Sequence, residues 1–267
     1  MPLDRNAPLY NQLLLTEAQR DRVEVVLVSP RNPLNIGAAA RAMANFGFSH
    51  LTVAAQYAPH WREARSAIGA PELLQNAKET ASLADAVAAC AFVIGTGTLT
   101  YRKPEQRVVS LPALAPVLQR ELARHGRIAL LFGPEKHGLT REDLSYCHIL
   151  VEIPTDARQP SMNLGQAVAV CLYELARGAS ASGEENHAST TSLAPSSTLD
   201  RLADLVEQTM TEVGYSPLSM HAANRHDLRL LLRRLHLSVP DSRRILGLFR
   251  RILWRLNRAS GSGGKPE

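Results

Sequence analysis

Three stretches of this 267-residue sequence carry the residue types on which a reaction could be built. Gly133-Pro134-Glu135-Lys136-His137-Gly138-Leu139-Thr140 has the glycine spacing of a phosphate-cradling loop and ends in a threonine. The residue before that threonine is Leu139, where a triphosphate site needs a lysine, and Lys136 stands too early for the task. Triphosphate hydrolysis is therefore not expected. Gly95-Thr96-Gly97-Thr98 begins like a dinucleotide fingerprint but has Thr100 where the third glycine belongs. Taken alone, each stretch reads equally well as turn chemistry at a strand end. Arg41, in Asn35-Ile36-Gly37-Ala38-Ala39-Ala40-Arg41, is the third feature. A guanidinium stays protonated, so it can attract an anion but cannot take a proton. By residue type alone, a helix-surface ion pair is the competing role for Arg41.

These residues need a frame. Residues 23–29 form a valine-rich run closed by Ser29-Pro30, the pattern of a buried strand, and residues 35–46 have helical character closed by Gly47. Further strands are expected at 51–54, 92–95, 127–132 and 148–153, with helices at 81–89, 111–125, 140–147 and 162–177. Thr140 is the expected N-cap of its helix, with Asp143 three residues on. Strands alternating with helices predict a parallel sheet covered on both faces, and such sheets hold ligands at the C-terminal ends of their strands. Both glycine stretches follow expected strands. The predicted organisation is an N-terminal arm (1–22), an α/β domain (23–177), a Ser/Ala/Thr/Gly-rich flexible linker (178–198), a basic helical extension (199–258) and a disordered tail (259–267). Within the extension, helices are expected at 199–213, 226–235 and 241–256.

Three blocks, in order, resemble the signature of the SpoU family of RNA methyltransferases. Asn35-Ile36-Gly37 with Arg41 looks like its first motif. Leu131-Phe132-Gly133-Pro134-Glu135-Lys136-His137-Gly138-Leu139 looks like its second, and Ile153-Pro154 followed by Pro160-Ser161-Met162-Asn163-Leu164 like its third. The resemblance covers roughly residues 23–175. It implies an α/β, SPOUT-type parallel sheet with a C-terminal trefoil knot, here with a small all-α extension, and a homodimer that assembles the active site. It also implies S-adenosyl-L-methionine (SAM) as cofactor, bound by Thr96, Gly97, Thr98, Gly133, Ile153, Pro160, Ser161 and Met162, with methyl transfer to a ribose 2'-hydroxyl. Arg41 is the implied catalytic residue. Asn35, Glu135, Ser161 and Asn163 accompany it, each with a structural alternative: Asn35 as a helix cap, Glu135 as a loop brace, Ser161 and Asn163 as caps at a helix entry. The basic extension is similar to that of the branch acting on nucleotide 32 of the tRNA anticodon loop. Ribosomal RNA as substrate, or a silent RNA-binding assembly factor, are the alternatives.

Composition agrees with a soluble enzyme: 45% hydrophobic and 21% charged residues, with no apolar run long enough to cross a bilayer. Isolated Cys90, Cys147 and Cys171 read as buried free thiols in a reducing cytoplasm, with no metal-ligand spacing. The net charge of +5 is concentrated in arginines between 225 and 258. Such a surface suits a polyanion, because neutralised phosphates release counterions. The expected partner is tRNA, met by Arg102, Lys103, Arg107, Arg229, Arg233 and Arg234; neither a membrane nor DNA is expected. His60, His125 and His137 show no partner pattern.

Overall fold

The computed structural model describes residues 15–55, 60–98, 104–124, 126–177, 191–215 and 217–261. Seven strands, β1 (Val23–Val28), β2 (His50–Ala54), β3 (Lys78–Thr80), β4 (Cys90–Thr96), β5 (Arg107–Ser110), β6 (Arg127–Phe132) and β7 (Ile149–Glu152), form one sheet in the order β3-β2-β1-β6-β4-β7-β5. Every pairing is parallel. The predicted sheet class is thus observed. Two strands escaped the sequence reading: β3 and β5 are short edge strands, mostly exposed and partly charged, with no apolar run to announce them.

The described helices are α1 (Glu17–Arg20), α2 (Pro33–Phe46), α3 (Pro71–Gln75), α4 (Leu83–Val87), α5 (Leu114–Ala123), α6 (Arg141–Leu144), α7 (Leu164–Arg177), α8 (Ser196–Glu212), α9 (His221–Arg234) and α10 (Val239–Gly261). Side chains alternate across the sheet as the pleat demands. Val23, Val25 and Leu27 of β1 join Ile94, Leu130 and Phe132 under α2, α5 and α7. Val26 and Val28 join Val93, Ala129 and Leu131 under α4 and α6. All three cysteines are buried free thiols; burial pushes Cys90 and Cys171 up to about 12, which leaves them protonated and unreactive.

Helix α2 starts earlier than the pattern placed it. Asn32, not Asn35, is its N-cap, accepting from Leu34 N at 2.9 Å, with Pro33 preset for the first turn. The linker is also shorter than predicted. Its described end, residues 191–198, is packed: Leu193 and Ala194 are buried, Leu193 bridges Ser238, and buried Ser196 donates its hydroxyl to the Cys90 carbonyl at 2.9 Å. A serine-rich composition concealed that anchorage. Helices α8, α9 and α10 share a small core of Leu202, Ala203, Leu232 and Leu246. Among the described residues, no helix is long and apolar enough to cross a membrane.

Candidate active site

Strands β6, β4 and β7 are neighbours, so the loops leaving their C-terminal ends gather at one edge. There Thr96, Gly97, Thr98, Gly133, Ile153, Pro160, Ser161 and Met162, the eight residues expected to hold the cofactor, line one cleft of about 240 Å³. Phe132, Leu139, Leu164 and Ala167 complete apolar walls around backbone polar groups. The threonines hold the walls in place. Thr96 Oγ1 donates to Leu131 O (2.8 Å), while Thr98 and Thr155 both donate to Pro160 O (2.9 and 3.2 Å), tying the segment after β7 to the β4 loop.

Gly133 is required by the loop itself. A Cβ there would stand 2.1 Å from Leu139 N and 2.2 Å from the Gly138 carbonyl carbon. The loop folds back so closely on the end of β6 that only a hydrogen fits.

The polar residues of the three blocks form one hydrogen-bonded chain. Glu135 accepts from Arg31 N and Asn32 N (both 3.1 Å) and from Asn35 Nδ2 (2.9 Å). Asn35 Oδ1 in turn accepts from Asn163 Nδ2 at 2.9 Å, and Asn163 Oδ1 caps the first turn of α7 through Gly165 N at 2.9 Å. Glu135 thereby braces the start of α2, where a carboxylate also opposes the positive helix end. Burial pushes the Glu135 carboxyl up, but the hydrogen bonds from Asn35, its own backbone, Arg31 and Asn32 together hold it below its ordinary value of 4.5. A carboxyl depressed in the fold stabilises above the unfolded pKa, and that contribution fades as pH falls through the folded one. The stability difference between wild type and Glu135→Gln is therefore expected to shrink below about pH 4.5, as urea melts across pH would measure.

Arg41 lies elsewhere. It is exposed on α2 and does not line the cleft. It shares a stripe, spaced four, three and four residues, with Leu34, Ala38 and Asn45. Among the described residues its guanidinium has no hydrogen-bonding or ion-pair partner, Glu135 included. Ser161 is exposed at the cleft rim.

The expected RNA contacts need correction. Arg233 is wholly buried, donating to Tyr146 O and to Asp200, both at 2.9 Å. Arg229 is buried against Glu142 and lies 4.4 Å over the Tyr146 ring. Arg234 pairs with Glu105 at 3.2 Å. A phosphate contact needs an exposed guanidinium, and burial removes Arg229 and Arg233 from that role. Arg107 is exposed at the start of β5, away from the strand ends that form the cleft. Arg102, Lys103 and His125 lie outside the described residues. The exposed arginines of the basic stretch are on α10, where the sequence reading counted them without naming them as contacts: Arg243, Arg250, Arg251, Arg255 and Arg258. Among the described residues no carboxylate pairs with them. Arg251 and Arg258 pack on exposed Trp254 at 4.6 and 4.8 Å. The signal was the periodicity of α10, whose buried Ser242, Leu246 and Leu253 leave the arginines outward.

Among known proteins, the chain is similar to TrmJ of Pseudomonas aeruginosa, a tRNA (cytidine/uridine/adenosine-2'-O-)-methyltransferase. Identity is 39% over 156 residues, 58% of this chain and 60% of that protein, so the chain spans less than two thirds of that relative. It is 31% identical over 242 residues to the tRNA (cytidine/uridine-2'-O-)-methyltransferase TrmJ of Pectobacterium atrosepticum, covering 87% of this chain and 95% of that one. The crystal structure of TrmJ from Z. mobilis ZM4 superposes with a TM-score of 0.75 at 28% identity, over 86% of this chain and 98% of that one. Residues 22–173, which include the whole cleft and the Glu135–Asn35–Asn163 chain, match the SpoU rRNA methylase family, and the chain belongs to that family.

Proposed function

We propose that this protein transfers a methyl group from SAM to a ribose 2'-hydroxyl of tRNA, with nucleotide 32 of the anticodon loop as its target. The cleft carries this reading: three strand ends converge on apolar walls and backbone polar groups suited to an adenine and a sulfonium-bearing chain. SAM, when bound, would supply an activated methyl on its sulfonium to the 2'-oxygen, with S-adenosylhomocysteine as leaving group and the hydroxyl proton passing to solvent. The chain's own residues do the rest. Ile153, Met162 and Leu139 shield the cofactor from water, and Glu135, Asn35 and Asn163 lock the three segments that shape the cleft. Arg41 anchors the RNA phosphate and stabilises charge on the attacking oxygen. In this reading the segment after β7, tied at Pro160, belongs to a trefoil knot.

Arg41 does not line the cleft of its own chain, so a second copy is the natural source of the arginine. The stripe carrying it is half apolar: Leu34 is 56% exposed and Tyr173 of the adjoining α7 is 50% exposed, an arrangement suited to a homodimer through α2 and α7. Three free thiols suit a cytoplasmic setting.

The test is incubation of the purified protein with methyl-labelled SAM and total RNA. Label is expected in tRNA, in an alkali-resistant ribose linkage; label in ribosomal RNA alone would remove the tRNA assignment, and no binding of SAM would remove the enzyme. The arginine face of α10 is the proposed tRNA grip. Arg251→Ala with Arg255→Ala is expected to lower the salt slope of tRNA affinity by about 2, near one per lost phosphate contact, without moving SAM affinity.

A further inference from the structure

Helix α9 is fastened to the wall of the cleft. Arg229 pairs with Glu142 on α6 and covers the Tyr146 ring just beyond it. Arg233 binds the Tyr146 carbonyl and Asp200 of α8 from a wholly buried position, and His226 stands 3.5 Å from Glu142. Helix α6 is the direct continuation of the 133–140 loop, since the Thr140 hydroxyl caps it by accepting from Asp143 N (3.1 Å) and the Thr140 N–H donates back to the Asp143 carboxylate (2.8 Å). Leu139, the residue before the cap, lies against Gly133 and Gly95 and lines the cleft. The extension also meets the segment just before β5, where Arg234 pairs with Glu105 and the neighbouring Gln106 donates to Leu144 O at 2.6 Å.

We propose that Arg229 and Arg233 are positioning residues for cofactor binding, holding α6 through Glu142 and Tyr146 and, through α6, the 133–140 loop. The proposal rests on the reading of the cleft as a SAM site. A four-residue helix has too few internal bonds to stand alone, so its place is set by what packs on it. Buried guanidiniums hold a single geometry well, because leaving one unpaired in a low dielectric is costly. The extension is thus part of the cofactor site as well as a carrier of arginines. Deleting it is expected to weaken SAM binding too, and a tRNA gripped by α10 is joined to the cleft through packed side chains.

The test separates positioning from simple fastening. SAM affinity is measured by calorimetry for wild type, Arg229→Leu, Arg229→Lys and Leu74→Ala, each at a temperature where melts show it folded. Leu74 is buried at α3, remote from the cleft loops, and serves as a destabilised control. Arg229→Leu is expected to weaken SAM binding by about 2- to 30-fold, the span usual for residues acting through packed neighbours. Arg229→Lys should recover part of the loss, while Leu74→Ala keeps wild-type affinity despite its lower Tm. Equal affinity in Arg229→Leu and wild type would overturn the proposal. Should Arg229→Leu fail to fold, Glu142→Gln breaks the same pair from a side chain that is 60% exposed, and unchanged affinity there overturns it equally. A wild type that binds no SAM removes the functional reading itself, and this proposal with it.

Discussion

Arg41→Ala is expected to lower the single-turnover methylation rate by about 10²- to 10³-fold while SAM affinity stays near that of wild type. The size follows from what the guanidinium is asked to do. Charge grows on the ribose oxygen only as the new bond forms, and a cation aimed at that charge acts on the transition state far more than on bound reactants. The selectivity follows from where Arg41 sits. It lies on the exposed side of α2, outside the cleft, and alanine is at least as good a helix former, so neither cofactor walls nor fold should suffer. Calorimetry with SAM and rapid-quench kinetics with tRNA check both halves. A large loss of SAM binding would contradict the assigned role.

Gly133→Ala is expected to do the opposite, weakening cofactor binding before chemistry is reached. The added methyl would meet backbone atoms of Gly138 and Leu139 at 2.2 and 2.1 Å, and neither can swing aside as a side chain could. The loop must lift, taking Leu139 away from Gly95 and Glu135 away from the start of α2. Overpacking of this kind costs about 1–3 kcal/mol or more of stability, so a lower Tm should accompany a loss of SAM affinity greater than about tenfold. Unchanged affinity in calorimetry would show that the loop has room the geometry denies it. The two variants also probe the dimer. Co-expressed in one assembly, Arg41→Ala supplies an intact cleft and Gly133→Ala an intact arginine, and turnover should return only if the two come from different copies.

What was legible in the sequence divides along physical lines. The strands that could be read, β1, β2, β4, β6 and β7, are buried apolar runs, and their loops carried the motifs, so the eight cleft residues converge as expected. The edge strands β3 and β5 could not be read, because three or four partly charged residues resemble any loop. Asn35 was open between fixing its loop, contacting RNA and capping the helix; in the fold the cap is Asn32, and the Asn35 amide joins Glu135 to Asn163. That role depends on residues 100 and 128 positions away, which no local pattern reveals. The arginines were misread for the same reason. A count of charges gives a basic extension, but the partners that bury Arg229 and Arg233, Glu142 and Tyr146, lie 87 residues from them in the chain. Periodicity along α10 was the better guide, since a helix with one buried stripe must turn its other residues outward.

The chain of Glu135, Asn35 and Asn163 also bears on how the protein is made. Its members come from the beginning and the last third of the α/β domain, so during synthesis the cleft has no complete wall until Asn163 has left the ribosome. The α9 arginines that steady α6 emerge later still, well beyond Asn163 in the chain. A nascent chain can thus bury its valine-rich strands early but can gain cofactor only near the end. Ribosome-bound fragments stopped before Asn163 should be folded in part and blind to SAM.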